Sequence, residues 1–162
     1  GSINLRPFKG LKPEAFEADL QINFISLVKV IQAVLPNLTA GEQSSIVLFS
    51  SVAASMGMPF HTSVAAAKGA IEGFAKALAA EYAPKIRVNV IAPSLTDTPL
   101  ADKFLNNETK QEKSAERHPL KRFGKPEDSA QMASFLLSDK SSWISGQIFH
   151  VDGGMSTLLV NG

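Results

Sequence analysis

Three side chains stand where chemistry is possible. Ser51 closes a short apolar run, Lys68 lies early in an alanine-rich stretch, and Asn23 interrupts a series of apolar residues. An amide among apolar neighbours must find hydrogen-bond partners. Each of the three also has a plainer reading: a strand terminator, a solvated helix lysine, a local backbone hydrogen bond. The histidines, His61, His118 and His150, are too widely spaced for the HxxxH pair of a helical zinc site. His61 reads either as an acid-base group or as polar loop surface. The chain has no cysteine, which removes disulfides, thiolate catalysis and thiolate metal ligation together.

The elements that must position these residues alternate. Pro13-Glu14-Ala15-Phe16 opens a helix, with proline in its first turn and an acid near the positive end of the dipole. Leu20, Phe24, Leu27, Val28, Ile31 and Val34 continue it as a stripe at helical spacing, and Pro36-Asn37 predicts its end. Ser45-Ile46-Val47-Leu48-Phe49-Ser50 reads as a strand covered on both faces, and residues 52–61 as a loop. A helix follows from about Ser63 to Tyr82, with Pro84 ending it, then a strand over Ile86–Ile91 and the breaker Ala92-Pro93-Ser94. Residues 98–123 are polar and charge-mixed, consistent with a mobile helical flap. Lys125-Pro126-Glu127-Asp128 starts a helix that ends near Ser138-Asp139, and Gly146–Val151 is a third strand closed by Asp152-Gly153-Gly154. This order predicts an α/β fold: a parallel sheet with helices on both faces.

The 162 residues fit one domain, and 44% hydrophobic with 19% charged residues can build a core. The net charge of +1 and the absence of a basic block argue against nucleic acid and anionic membrane partners. No apolar run is read as long enough to span a membrane and the start is not read as a signal peptide, so the expectation is a cytoplasmic protein. Gly1-Ser2 is set aside as an expression scar, leaving a single unit over residues 3–162.

Five segments, in order, resemble the short-chain dehydrogenase/reductase family: Gln21-Ile22-Asn23-Phe24; Ile46-Val47-Leu48-Phe49-Ser50-Ser51; Arg87-Val88-Asn89-Val90-Ile91-Ala92-Pro93; Pro119–Asp128; and Ile144–Gly154. The resemblance covers about Leu11 to Thr157. It implies hydride transfer between a nicotinamide cofactor, NAD or NADP, and a small-molecule carbonyl or alcohol substrate. Carried over residue by residue, Ser51 matches the serine that orients the substrate oxygen. Lys68 matches the lysine that favours tyrosinate and holds the nicotinamide ribose. Asn23 matches the asparagine that holds a water linking the lysine to solvent. The turn Pro93-Ser94-Leu95-Thr96-Asp97-Thr98 matches the one whose backbone and threonine meet the nicotinamide carboxamide, with Ser94 where glycine is usual. The resemblance also implies a homo-oligomer through the helices at 13–35 and 63–82, and it makes the three strands the last three of a seven-stranded Rossmann sheet.

Two departures shape the functional expectation. The family's proton-donating tyrosine, four residues before the lysine, is here Val64, and the alternative position six before it is Thr62. Tyr82, the only tyrosine, sits near the far end of the helix and cannot substitute. No G-x-x-x-G-x-G is present to bring a pyrophosphate to a helix N-terminus. The sequence therefore predicts a portion of a NAD(P)-dependent oxidoreductase that is inactive as written and binds dinucleotide weakly or not at all. The alternatives are a truncated, non-catalytic relative serving as a dimerising or binding scaffold, and a portion of a longer chain.

Overall fold

The computed structural model describes residues 1–160. Its elements are α1 (Pro13–Leu20), a π-helical turn (Gln21–Ile25), α2 (Ser26–Ala40), β1 (Ser44–Phe49), α3 (Thr62–Tyr82), β2 (Ile86–Pro93), α4 (Asp102–Leu105), α5 (Glu108–Glu116), α6 (Pro126–Leu137) and β3 (Ile148–Val151). The sheet is parallel in the order β1-β2-β3, with Ile46 opposite Val88 and Ile91 opposite Phe149.

Strand alternation sends Ile46, Leu48, Ile86, Val88 and Val90 to one face, where they bury against Ile31 of α2 and Ile71, Ala75, Leu78 and Ala79 of α3. An edge-to-face pair, Phe24 with Phe74 at 5.6 Å, joins the two helices over this core. The other face carries polar residues that serve the backbone. Arg87 donates to the Leu136, Ser138 and Ser141 carbonyls at 3.0, 3.1 and 3.0 Å, taking up the orphan acceptors that follow α6. Asn89 donates to the Ile144 carbonyl at 2.9 Å and accepts the Gln147 N–H at 3.1 Å, which fixes the approach to β3. The polar residues of the Arg87-Val88-Asn89 motif thus shape the sheet instead of facing a ligand.

Four expectations are corrected. The first helix does not stop at Pro36 but continues to Ala40, with proline inside it. Proline leaves only the Gln32 carbonyl without its N–H, and side chains close the last turn: Thr39 Oγ1 reaches the Leu35 carbonyl and Ser44 Oγ the Leu38 carbonyl, at 3.0 and 2.7 Å. The helix is also not uniform, because at Gln21–Ile25 it widens, and the Ser26 N–H bonds to the carbonyl of Gln21, five residues back. β1 is covered on one face only at its far end, where Phe49 is 44% exposed, since α6 meets the strand near Ser45. Finally, Pro13–Ala40 is a continuous 28-residue helix long and apolar enough, by length and composition, to cross a membrane. The stripe facing the sheet hid this, because Ile22, Val30 and Val34 make the outer side apolar as well. Its inner side rests on the sheet core.

Candidate active site

The site forms where β1 and β2 end. Ser50 is locked there by its N–H to the Ile91 carbonyl at 2.8 Å and by its hydroxyl to Glu72 of α3 at 2.7 Å. Ser51 follows, and its Oγ accepts the Ala53 N–H at 3.2 Å, capping a short 3-10 turn at Val52–Ala54. The strand-terminating role of this serine is therefore real, and it coexists with a place on the cavity wall. Lys68, one turn and a half into α3, donates from Nζ to the Phe49 carbonyl at 3.0 Å. Burial holds its ammonium below the ordinary lysine range. Val64 lies one turn earlier on the same helix face, buried and lining the cavity.

Asn23 sits in the π-helical turn, 5% exposed. Its amide donates to the Asp19 carbonyl at 2.9 Å, the local backbone bond that was the plainer reading, and to Ser2 Oγ at 3.0 Å. Its Oδ1 accepts the Ser2 N–H at 3.2 Å. The Ser2 hydroxyl also bonds the fully buried Asp19 carboxyl group at 2.6 Å, beside Asn4 at 2.8 Å. Ser2 thus gives partners to Asn23 and to Asp19 Oδ1, while the buried Asp19 Oδ2 has none among the described residues.

Beyond β2, the Thr96 segment pairs with Gly124: Asp97 N–H donates to the Gly124 carbonyl and Gly124 N–H to the Leu95 carbonyl, each at 2.9 Å. Among the described residues the N–H groups of Leu95 and Thr96 donate to no protein acceptor. These free donors, with Lys68 Nζ, suit the amide and ribose end of a nicotinamide cofactor. His118, given no role from sequence, is 2% exposed and ties this turn to the flap. Its Nδ1 donates to the Ser114 carbonyl at 2.7 Å, so its Nε2 accepts from the Ser94 hydroxyl at 2.9 Å in the neutral ring. The serine in place of glycine thus has a partner, joined across 24 residues of sequence that no local pattern could have linked.

One cavity of about 710 Å³ gathers these groups. Asn23, Ser51 and Lys68 line it, as do Pro93, Ser94, Leu95, Thr96 and Thr98 of the turn. His61 lines it too, its Nδ1 occupied by the Pro59 carbonyl at 2.7 Å. Thr62 and Tyr82 do not.

A family model described as Enoyl-(Acyl carrier protein) reductase matches residues 2–156. The chain belongs to the short-chain dehydrogenase/reductase family. It is 40% identical over 146 residues to the 3-oxoacyl-(acyl-carrier-protein) reductase FabG of Thermotoga maritima, covering 90% of this chain and 58% of that protein. It is 36% identical over 144 residues to the protein named inactive 2-(S)-hydroxypropyl-CoM dehydrogenase 2 of Xanthobacter autotrophicus, covering 86% and 63%. Among solved structures, the gluconate 5-dehydrogenase of Burkholderia cenocepacia in complex with NADP and tartrate superposes with a TM-score of 0.90 at 27% identity, over 98% of this chain and 63% of that one. The chain therefore spans about three fifths of the length of the short-chain dehydrogenase/reductases it matches. The Burkholderia structure holds NADP, which agrees with the cofactor class expected from the sequence, and its superposition agrees with the expected α/β fold.

Proposed function

We propose that this chain is a portion of a NAD(P)-dependent oxidoreductase acting on carbonyl or alcohol substrates, and that as written it does not turn over. The observation that carries the reading is Val64, buried on the cavity wall one helical turn before Lys68, in the midst of Asn23, Ser51 and the turn Pro93–Thr98. A nicotinamide at this site would supply or accept the hydride. The Ser51 hydroxyl would orient the substrate oxygen and the Lys68 ammonium would steady the ribose, while Asn23, with both N–H donors taken by Asp19 and Ser2, would hold a water only through Oδ1. Reduction leaves an alkoxide that must be protonated, and an isopropyl side chain offers no proton. Lys68 is held to the Phe49 carbonyl, at the foot of the site, and does not replace a hydroxyl one turn away.

Dinucleotide binding by this chain is weak or absent in this reading. The free donors at Leu95 and Thr96 and the Lys68 ammonium serve the nicotinamide end only, and no glycine-rich turn in the sequence receives the pyrophosphate. The test is NADH and NADPH oxidation with a panel of ketones, expected to show no rate above the protein-free control. A steady rate that scales with protein and vanishes in Lys68→Ala overturns the reading. Calorimetry returning a micromolar or tighter dissociation constant for either dinucleotide overturns the weak-binding part.

A second reading, a dimerising scaffold, is favoured by the outer sides of the long helices. Ile22, Val30 and Val34 are 50%, 63% and 43% exposed, and α3 presents Gly73, Ala77 and Ala80 to solvent, small enough for close helix approach. We propose that a second copy covers these sides of the helices at 13–35 and 63–82 about a two-fold axis.

A further inference from the structure

We infer that the flap wall of the cavity selects a substrate carrying an anionic group, a carboxylate or a phosphate, at the end remote from its reacting carbonyl. The inference rests on the carbonyl-site reading above and deepens it.

Acidic and basic residues are nearly balanced over the chain, 15 against 16. The cavity is not balanced. Lys68, Lys103, Lys110, Lys113 and Arg117 line it, and no carboxylate does. Four of the five belong to the flap. Lys110, Lys113 and Arg117 follow one another at steps of three and four residues, so they share a face of the α5 segment, on the same side as the cavity-lining Ser114 and His118. Glu108, Glu112 and Glu116 recur at steps of four and occupy a different face. A solvated helix normally interleaves opposite charges at these steps, which stabilises it, whereas Lys113 and Arg117 are like charges four apart. The arrangement works against the helix and concentrates positive potential on the cavity.

The flap cations are not consumed by the protein. Among the described residues the one ion pair is Arg122 with Asp128, away from this wall. Lys103 Nζ is held by the Ile3 carbonyl at 2.9 Å, and Lys110 Nζ by the Lys103 carbonyl at 2.9 Å and Asn106 at 2.8 Å. Lys113 and Arg117 have no described partner. The helix bearing them is anchored by His118 to Ser94 of the nicotinamide turn, so the cations hold a fixed place relative to that end of the site. The same cavity is lined by the apolar side chains Val64, Leu95, Leu100 and Phe104. A substrate with a carbonyl at one end and an anion at the other matches a cavity that holds backbone donors, apolar side chains and flap cations.

The phosphates of a dinucleotide present the same chemistry, so the test separates the two sources. The full chain is titrated with 5-oxohexanoate and with its neutral counterpart 2-hexanone, followed by calorimetry, and separately with NADPH. The expected result is that 5-oxohexanoate binds about tenfold or more tightly than 2-hexanone, the effect of one charge-assisted hydrogen bond. In the exposed double variant Lys113→Gln/Arg117→Gln that ratio falls to near unity, and micromolar NADPH does not displace 5-oxohexanoate from the parent. Equal affinity for the two ketones overturns the inference. So does displacement of 5-oxohexanoate from the parent by micromolar NADPH, which assigns the cations to cofactor phosphates. Failure of the underlying reading has its own signature: Ser51→Ala leaves the affinity of both ketones untouched, while the charge ratio and its loss in the double variant persist.

Discussion

The sheet-end wall of the cavity is carried by strand ends and α3, where Ser50 is pinned to Ile91 and Glu72 and where Val64 and Ile71 are buried. The flap wall rests on short helices, α4 and α5, whose cavity-facing cations are exposed, and it is tied down by His118 to Ser94, by Lys103 to the Ile3 carbonyl and by the buried Ala101 and Leu105. The first wall cannot change without disturbing the core; the second can change charge freely. In the proposed reading, the family's chemistry sits on the first wall and substrate selectivity on the second. Substitutions on the two walls should therefore differ in kind as well as in size.

The largest effect is expected from returning an acid to the rigid wall. Val64→Tyr, assayed with a ketone at millimolar NADPH, should raise the rate about 10²–10⁴-fold above the parent's background, the usual contribution of general acid-base catalysis. Val64→Phe, which matches the bulk without the hydroxyl, should give nothing, and adding Lys68→Ala to the tyrosine variant should abolish the gain. If the phenylalanine and tyrosine variants behave alike, the sheet-end wall is no longer a reaction site in waiting, and its contrast with the flap is purely structural.

Next in size is the stability contrast itself. Ile71 is 1% exposed in the core between α3 and the sheet, and Ile71→Ala should cost about 2–5 kcal/mol in a denaturant melt. Lys113→Gln on the flap should stay within about 0.5 kcal/mol of the parent. Comparable losses at both positions would show that the flap is part of the core's cooperative unit.

These residues also mark what the sequence could and could not reveal. The strand ends and α3 were legible because periodicity, breakers and the fixed spacing from Val64 to Lys68 act locally along the chain. The π-helical turn was not, because widening the helix by one residue at Gln21–Ile25 leaves the apolar pattern almost intact. Nor was the continuation past Pro36, because proline costs the helix one N–H while Thr39 and Ser44 close its last turn. The flap cations and His118 were invisible for another reason: their meaning lies in what they face, and the partner residues are remote in sequence.

A third effect concerns the surface outside the cavity. If the outer sides of the long helices meet a second copy, Val30→Glu combined with Val34→Glu should raise the dimer dissociation constant about tenfold or more, because each places a charge in an apolar contact. Sedimentation of parent and variant at the same concentration reads this directly. A parent chain that is monomeric at micromolar concentration removes the scaffold reading.

The smallest effect lies at the hinge between flap and α6. Asp128 accepts two hydrogen bonds from Arg122, at 2.6 and 2.8 Å, and the Lys125 N–H at 2.7 Å, closing the first turn of α6. The Arg122 bond, followed by the Lys125 N–H, lowers its carboxyl to about 2. A carboxyl depressed on folding stabilises the protein above its unfolded pKa, near 4, and that contribution is lost as pH falls through about 2. The pair is largely solvent-exposed, with the Arg122 side chain at 50%, so screening limits the contribution to less than about 1 kcal/mol. Asp128→Asn keeps an acceptor for Lys125 and loses the charge. It should therefore lower stability slightly at pH 7 and remove part of the loss that the parent shows between about pH 4 and pH 2. Urea melts of parent and variant at pH 7 and pH 3 measure both. Parallel stability curves across that window would mean that Arg122 contributes geometry to the join between flap and α6 but no net electrostatic stability.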